Sequence, residues 1–285
     1  MNQICDLHAH SVFSDGTYTP AQLLREAEKL ELSALALTDH NTAAGLPDFL
    51  AAAQNSPVEA VPGVEFSTDY NGVELHILAL GLKSAYFDQV EELMGRYHAL
   101  KEESNRALVQ ALCRGGFVID YEAVKASTPT GQVNRAVIAA ELLKKGYVSS
   151  VREAFKTLLG SNCGYYTPPE RPAPGQMVDL IWDLGAVPVL AHPLLNLSPA
   201  ALRQFLEEMR PHQLAGMEVY YSTYSPEETA TAMALADEFG LKYSGGSDFH
   251  GTNKPDIRLG FGKGNLKIPG QWWDSLRESM KISKM

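Results

Sequence analysis

Two imidazoles separated by one residue, His8-Ala9-His10, stand at the end of the first strand the sequence predicts, and Asp15 follows five residues later. Side chains alternate along a strand, so positions i and i+2 project to one face. Both rings are therefore aimed at the same space, an arrangement that metal coordination uses. One such pair occurs by chance in many chains. Here Asp39-His40, Glu65, His76, His192 and Asp248-Phe249-His250 also fall where strands should end. Six of the eight histidines take such positions, and only His98 and His212 do not.

His8, His10, Asp15, His40, Glu65, His76, His192, Asp248 and His250 make nine candidate ligands. One zinc ion takes about four protein or water ligands, so the set exceeds one ion and fits two or three. Imidazole and carboxylate donors without thiolate suit zinc, manganese or iron. Closely spaced divalent ions activate water and clamp the attacking and leaving oxygens of a phosphoryl group. The chemistry expected is phosphoester hydrolysis through a metal-activated hydroxide at a di- or trinuclear site. His192 and His250 are candidates for protonating the leaving oxygen where metal does not fully engage them, with Asp248 beside them. Asp39 is read as orienting a neighbouring imidazole.

Taken singly, several of these residues have plainer readings. His76 fits a half-buried strand histidine, His192 before Pro193 fits a strand end, and Asp15 in Ser14-Asp15-Gly16 fits a turn. Nine independent coincidences are a poorer account than one site. Arg135, Arg171, Lys254 and Arg258 are the cations best placed to meet a substrate phosphate, Arg through its bidentate fork. Tyr165-Tyr166 and Tyr220-Tyr221 pack or line a pocket. Gly-rich phosphate loops and Gly-x-Ser-x-Gly are absent from the sequence.

The elements that must position these residues alternate between strand and helix. Strands are expected over 3–8, 33–38, 58–66, 73–80, 186–191, 215–220 and 242–246, with a hairpin at Asn71-Gly72. Helices are expected from Thr19-Pro20 to about 30, then over 43–53, 85–113, 177–184, 199–209 and 226–239. Apolar strands alternating with helices imply a mostly parallel α/β sheet. Each candidate ligand lies at or just past a strand's C-terminal end, where barrel-type enzymes assemble their sites. A closed or nearly closed barrel lets residues 8 and 250 meet. Residues 115–174 break the rhythm: helical over 132–145 and 150–159, then Pro-rich. They read as a small helical insertion over the barrel mouth, the barrel itself comprising 1–114 and 175–285.

The net charge of −10 disfavours long duplex nucleic acid as a partner. It leaves small anionic substrates open, because bound cations reverse the local field. No apolar run reaches the length needed to cross a membrane. Three widely spaced cysteines (Cys5, Cys113, Cys163) and a chain that enters its first strand almost at once suggest reduced thiols in a cytoplasmic protein.

Asp6-Leu7-His8-Ala9-His10-Ser11, Ser14-Asp15-Gly16, Thr38-Asp39-His40-Asn41, Pro62-Gly63-Val64-Glu65, Ala191-His192-Pro193 and Ser247-Asp248-Phe249-His250-Gly251 resemble the PHP (polymerase and histidinol phosphatase) superfamily in order and spacing. The likeness runs from residue 4 to about 265 and is closest to a stand-alone branch of RNase AM and nucleotide-bisphosphate phosphatase type. It implies a distorted (β/α)7 TIM-like barrel and a trinuclear site. His8, His10, Glu65 and Asp248 would hold one metal; Asp15, His40 and His250 a second; Glu65, His76 and His192 a third. Gly131-Gln132-Val133-Asn134-Arg135 stands where relatives read Gly-Arg-Pro-His. Asn134 and Arg135 thus join Arg171 and Lys254 as the residues expected to set substrate preference. The expected function is a metal-dependent phosphoesterase using two or three Mn, Fe or Zn ions on a small phosphorylated, nucleotide-like or short oligonucleotide substrate. The alternatives are an amide or ring hydrolase of amidohydrolase type and a non-catalytic nucleotide-binding module.

Overall fold

A computed structural model describes residues 4–128, 131 and 133–282. The chain divides into two compact units, Met1–Glu91 with Arg171–Met285, and Glu92–Glu170. The division falls inside a long helix, earlier than the composition change at 115 suggests, because amphipathic periodicity runs unbroken through that helix.

In the larger unit, β1 (Ile4–Asp6), β2 (Ala34–Leu37), β3 (Glu59–Tyr70) and β4 (Val73–Leu80) alternate with α1 (Pro20–Lys29) and α2 (Leu46–Ala53). The helix α3 (Phe87–Arg114), which enters the smaller unit at Glu92, is followed there by α4 (Tyr121–Ala126), α5 (Arg135–Lys144) and α6 (Val151–Ala154). The larger unit resumes with α7 (Pro174–Asp183), β5 (Val187–Ala191), α8 (Pro199–Met209), β6 (Gly216–Tyr221), α9 (Pro226–Phe239), β7 (Lys242–Gly246), β8 (Ile268–Pro269) and α10 (Gln271–Ile282).

Local chemistry accounts for the helix starts. Thr19 caps α1 in a reciprocal box with Gln22, and Ser225 does the same for α9 with Glu228. Pro occupies the first turn of both helices, where its missing N–H costs nothing. Asn71 and Gly72 at φ 54° and 81° make the tight turn between β3 and β4.

The strands form one sheet in the order β7-β6-β5-β4-β3-β2-β1-β8. Pairing is parallel except around β4, which is antiparallel to both β3 and β5, and at β8, antiparallel to β1. The two ends of the sheet meet at one mouth of the barrel, where Asp248 N donates to His8 O and His10 N to Phe249 O, each at 2.9 Å. The result is a distorted (β/α)7 barrel whose last seam is filled from the other end by β8.

That other end is sealed by α10. Trp273 and Leu276 are buried among Leu7, Ala36, Val61, Leu78 and Val189, side chains from the inside of the strands. Trp273 Nε1 donates to Glu59 Oε1 at 2.7 Å, so its polar atom is satisfied as well. The smaller unit has its own core, in which Leu108 and Leu112 of α3 pack with Val124, Ile138, Leu142 and Leu159.

Trp273→Ala removes a buried indole from a site with no room to collapse, and a loss of about 3–5 kcal/mol is expected. Chemical denaturation of the metal-free protein checks it; a loss under 1 kcal/mol would show that α10 does not plug the barrel.

Candidate metal centre and active site

All nine candidate ligands lie at the mouth of the barrel unit. Strand geometry explains how. His40 and Glu65 form a parallel bridge just past β2. In the β3–β4 ladder Ser67 lies opposite His76, so Glu65, two residues from Ser67, shares the face of His76. His76 lies opposite Ala191, one residue before His192. His76 sits near the start of its strand and not at its end, because β4 runs antiparallel and its beginning lies at the mouth.

Backbone close approach is also needed. A Cβ at Gly246 would overlap the His8 side chain, and one at Gly16 would strike the His10 carbonyl. Asn41, His192 and Asp248 hold φ of 53°, 29° and 54°, a region that L-residues rarely adopt. Glu31, Asn71 and Gln213 also have positive φ, but two of the three at the cluster are candidate ligands whose side chains this conformation aims. Asp6, fully buried, accepts from the N–H of Ser247 at 2.8 Å, Gly260 at 2.7 Å and His8 at 3.3 Å, tying β1 to the loop that carries Asp248.

Glu65 is the meeting point. Its Oε2 lies 3.1 Å from His8 Nε2, 3.2 Å from His10 Nε2 and 3.1 Å from His40 Nδ1. Its Oε1 lies 2.7 Å from His76 Nδ1 and 3.1 Å from His192 Nε2. Asp248 Oδ1 is 3.2 Å from His10 Nε2 and 3.6 Å from His8 Nε2, and the two Nε2 atoms are 3.0 Å apart. On the other side, His250 Nε2 is 3.1 Å from Asp15 Oδ1, and His40 Nε2 is 3.9 Å from Asp15 Oδ2.

These distances also match donors gathered around shared cations. Donor atoms around one ion at about 2.1 Å stand roughly 3.0–3.4 Å from one another, the spacing seen among His8, His10, Glu65 and Asp248. His40 Nδ1 and Glu65 Oε2 are buried with no hydrogen-bond partner, an arrangement that ordinary packing avoids. Asp6, Asp39, Glu65, Glu218 and Asp248 are all buried, a concentration of negative charge that needs compensation. The donor set thus fits divalent metal.

Three rings are oriented through Nδ1, which donates outward and leaves Nε2 turned toward the cluster. His8 Nδ1 donates to Glu218 Oε1 at 3.0 Å, and His250 Nδ1 to the Asp248 carbonyl at 2.9 Å. Ser14 gives its proton to Asp39 Oδ1 at 2.6 Å, so its oxygen, 3.4 Å from His10 Nδ1, accepts from that ring. Asp39 thereby orients His10 through Ser14. Asp248 Oδ2 accepts from Tyr221 Oη and Lys254 Nζ, both at 2.6 Å, leaving Oδ1 to the imidazoles.

Other expected residues have different surroundings. Arg171 pairs with Glu74 at 3.0 Å, and Glu74 lies 3.4 Å from His76 Nε2. Asn134 Oδ1 accepts from Val137 N at 2.9 Å and caps α5. Arg135 stacks on Tyr166 at 4.3 Å, within the core of the smaller unit. Gln132 lies outside the described residues. Tyr165 packs on Phe117 and Tyr220 on Trp272, both structural, whereas Tyr221 joins the site. His212 pairs with Asp179. Sequence reasoning missed Glu218, whose signal is a carboxylate inside the otherwise apolar strand Gly216–Tyr221.

The PHP domain family matches residues 6–162. A 5′-3′ exoribonuclease of Haemophilus influenzae is 31% identical over 88% of this chain and 91% of its own length. A 3′,5′-nucleoside bisphosphate phosphatase of Chromobacterium violaceum is 27% identical over 86% of each chain. The structure of a proposed metal-dependent phosphoesterase from Bifidobacterium adolescentis superposes with a TM-score of 0.83 at 26% identity, covering 97% of this chain and 96% of its own. The chain belongs to the PHP family. It is a metal-dependent phosphoester hydrolase, and amide or ring hydrolysis is not favoured.

Charge coupling in the metal-free chain sets its pH dependence. Burial pushes the His10 imidazole down, but Asp248 and Glu65 hold it up, at about 9 against an ordinary 6.5. Burial acts likewise on His76, and Glu65 raises it to about 10. Burial takes His40 down to about 3, beyond what Glu65 and Asp15 restore. Burial pushes the Glu65 carboxyl up, yet His40, His8 and His76 hold it well below the usual carboxylate range. Stability from His10 and His76 is complete below the ordinary value of 6.5 and lost as pH rises through about 9 and 10. That from Glu65 is present above its ordinary 4.5 and lost as pH falls through its depressed value. His40 costs stability below 6.5, where the unfolded chain takes up its proton first. The melting temperature of metal-stripped protein should therefore fall from about pH 7 to about pH 9. With ligands held unprotonated, metal-loaded protein should lose that slope. A metal-free melting temperature that rises over this interval would contradict the assignment.

Proposed function

We propose that the chain binds three divalent ions and hydrolyses a terminal phosphate ester of a small nucleotide-like substrate. The observation that supports this most directly is the double use of Glu65: one oxygen faces His8, His10 and His40, the other His76 and His192. A carboxylate shared in this way bridges ions. His8, His10, Glu65 and Asp248 are assigned to one, Asp15, His40 and His250 to a second, and Glu65, His76 and His192 to a third. Manganese, iron or zinc suits this donor set. When bound, such ions supply an activated water and neutralise charge on the phosphoryl oxygens.

The chain's own side chains do the rest. His8, His10 and His250 present lone pairs in fixed tautomers, so little reorganisation accompanies each turnover. His192 and His250 both direct Nε2 to carboxylates, at 3.1 Å from Glu65 and Asp15, which supports assigning them as ligands over the leaving-group acid. Lys254, 40% exposed and paired with Asp248, reaches from the site toward solvent and is assigned to the substrate phosphate. Arg171 is assigned to the same rim through Glu74.

The names of the relatives point to nucleoside bisphosphates and 5′ ends of RNA as substrate classes. The net charge of −10 fits a short substrate better than a long duplex. Three free cysteines fit the reducing cytoplasm, and among the described residues no helix is long and apolar enough to cross a membrane.

The test is a substrate panel on protein whose metals have been counted by elemental analysis. Nucleoside 3′,5′-bisphosphates and short 5′-phosphorylated oligonucleotides should be hydrolysed with manganese present, while amides and lactams are not. His8→Ala combined with Asp248→Ala should empty the centre and lower turnover about a thousandfold or more. Metal-replete protein inert toward every phosphoester would falsify the proposal. Lys254→Ala should raise KM for phosphoesters about tenfold, the effect of losing one charged contact of about 1.4 kcal/mol; an unchanged KM removes Lys254 from the substrate site.

A further inference from the structure

Glu218 stands in β6 with no exposed surface, in the barrel interior behind the ligand cluster. A carboxylate buried so completely is normally paired. Here it has two donors and both belong to candidate ligands. Oε1 accepts from the His8 Nδ1–H at 3.0 Å, and Oε2 accepts from the His192 main-chain N–H at 2.8 Å. His8 belongs to the first group of ligands and His192 to the third. The backbone at His192 is held at φ 29°, ψ 50°, immediately before Pro193, so an anchor on its N–H secures a conformation the residue would not adopt alone.

The local fold supports this placement. In the β6–β7 ladder Glu218 lies opposite Ser244, and an irregularity between Glu218 and Tyr220 shifts the register. Such irregularities re-aim side chains. Here the shift lets Glu218 face His8 and His192 while Tyr221 reaches Asp248 Oδ2.

We propose that Glu218 is a positioning residue for the metal centre: it fixes the His8 tautomer and the His192 main chain together, and so couples formation of the first and third ion sites. The inference rests on the ion groups assigned under the proposed function. An amide cannot replace the carboxylate, because glutamine has one acceptor oxygen for two donors and would turn an NH2 group against one of them. Aspartate keeps both acceptors but is shorter by one methylene.

The test is calorimetric titration of metal-stripped full-length protein with Mn2+, for the wild type, Glu218→Gln and Glu218→Asp, alongside metal-free melting and phosphoester turnover. Loss of an outer carboxylate partner of a ligating histidine costs about 10–100-fold in metal affinity. That loss is expected for Glu218→Gln, with part of it recovered in Glu218→Asp. Turnover should fall at limiting Mn2+ and return toward wild type at saturating Mn2+, with KM for substrate unchanged. Three results overturn the inference: unchanged Mn2+ affinity with only a lowered melting temperature, which means a packing role; loss of one ion from the stoichiometry at unchanged affinity for the rest, which makes Glu218 a ligand; or turnover that stays low at saturating metal. Failure of the wild type itself to bind several ions or turn over phosphoesters indicts the functional reading, whatever Glu218 does. If Glu218→Gln does not fold, the imidazole 15N spectrum of zinc-loaded wild type decides: a protonated His8 Nδ1 is required, and an unprotonated one sinks the proposal.

Discussion

The mouth of this barrel is organised by one carboxylate that faces five imidazoles. Glu65 is fully buried, yet its two oxygens lie within 3.2 Å of ring nitrogens from His8, His10, His40, His76 and His192. Those rings come from three strand ends and from an antiparallel strand, so strands far apart in sequence must come together for the contacts to exist. Neither neutral hydrogen bonding nor simple ion pairing satisfies so many donors around one acceptor, and two of the buried atoms remain without hydrogen-bond partners. Cations at this point resolve both the geometry and the charge.

Around that centre, a second ring of polar groups decides which way each ligand points. Glu218 holds His8, the Ser14–Asp39 pair holds His10, the Asp248 carbonyl holds His250, and Tyr221 with Lys254 holds one oxygen of Asp248. Preorganisation of this kind keeps each ring aimed before any ion arrives, which lowers the ordering cost of binding. The strained backbone at His192 and Asp248 is tolerable because the same network restrains it.

Much of this was legible in the residues. The strand–helix alternation, the hairpin at Asn71-Gly72 and several element limits, such as Pro199–Met209 and Pro226–Phe239, follow from caps, prolines and apolar period. So does the convergence of the nine candidate ligands, since His-x-His and Asp-x-His near strand ends have few other uses. What was not legible depends on non-local pairing. The reversal of β4 needs the register between Ser67 and His76, and β8 is only two residues long. Glu218 lies in an apolar strand whose composition says only that it is buried. The limits of the smaller unit are hidden because α3 is a single uninterrupted helix. Asn134 reads in sequence as a change in a substrate motif, while its side chain acts as the cap of α5; asparagine is among the best residues for that task, and its presence has a local reason.

The charge of the site bears on substrate choice. The chain is acidic overall, and the two cations that touch the site's carboxylates are already paired, Lys254 with Asp248 and Arg171 with Glu74. An incoming phosphate must either take these cations from their partners or be drawn by the ions themselves. The second route carries the larger charge and lies closer to the reacting centre. Affinity for a phosphorylated substrate is then tied to occupancy of the candidate ligand clusters: without ions the carboxylates of the mouth are offset by the imidazoles they hold protonated, and bound ions would add the positive charge that draws an anion.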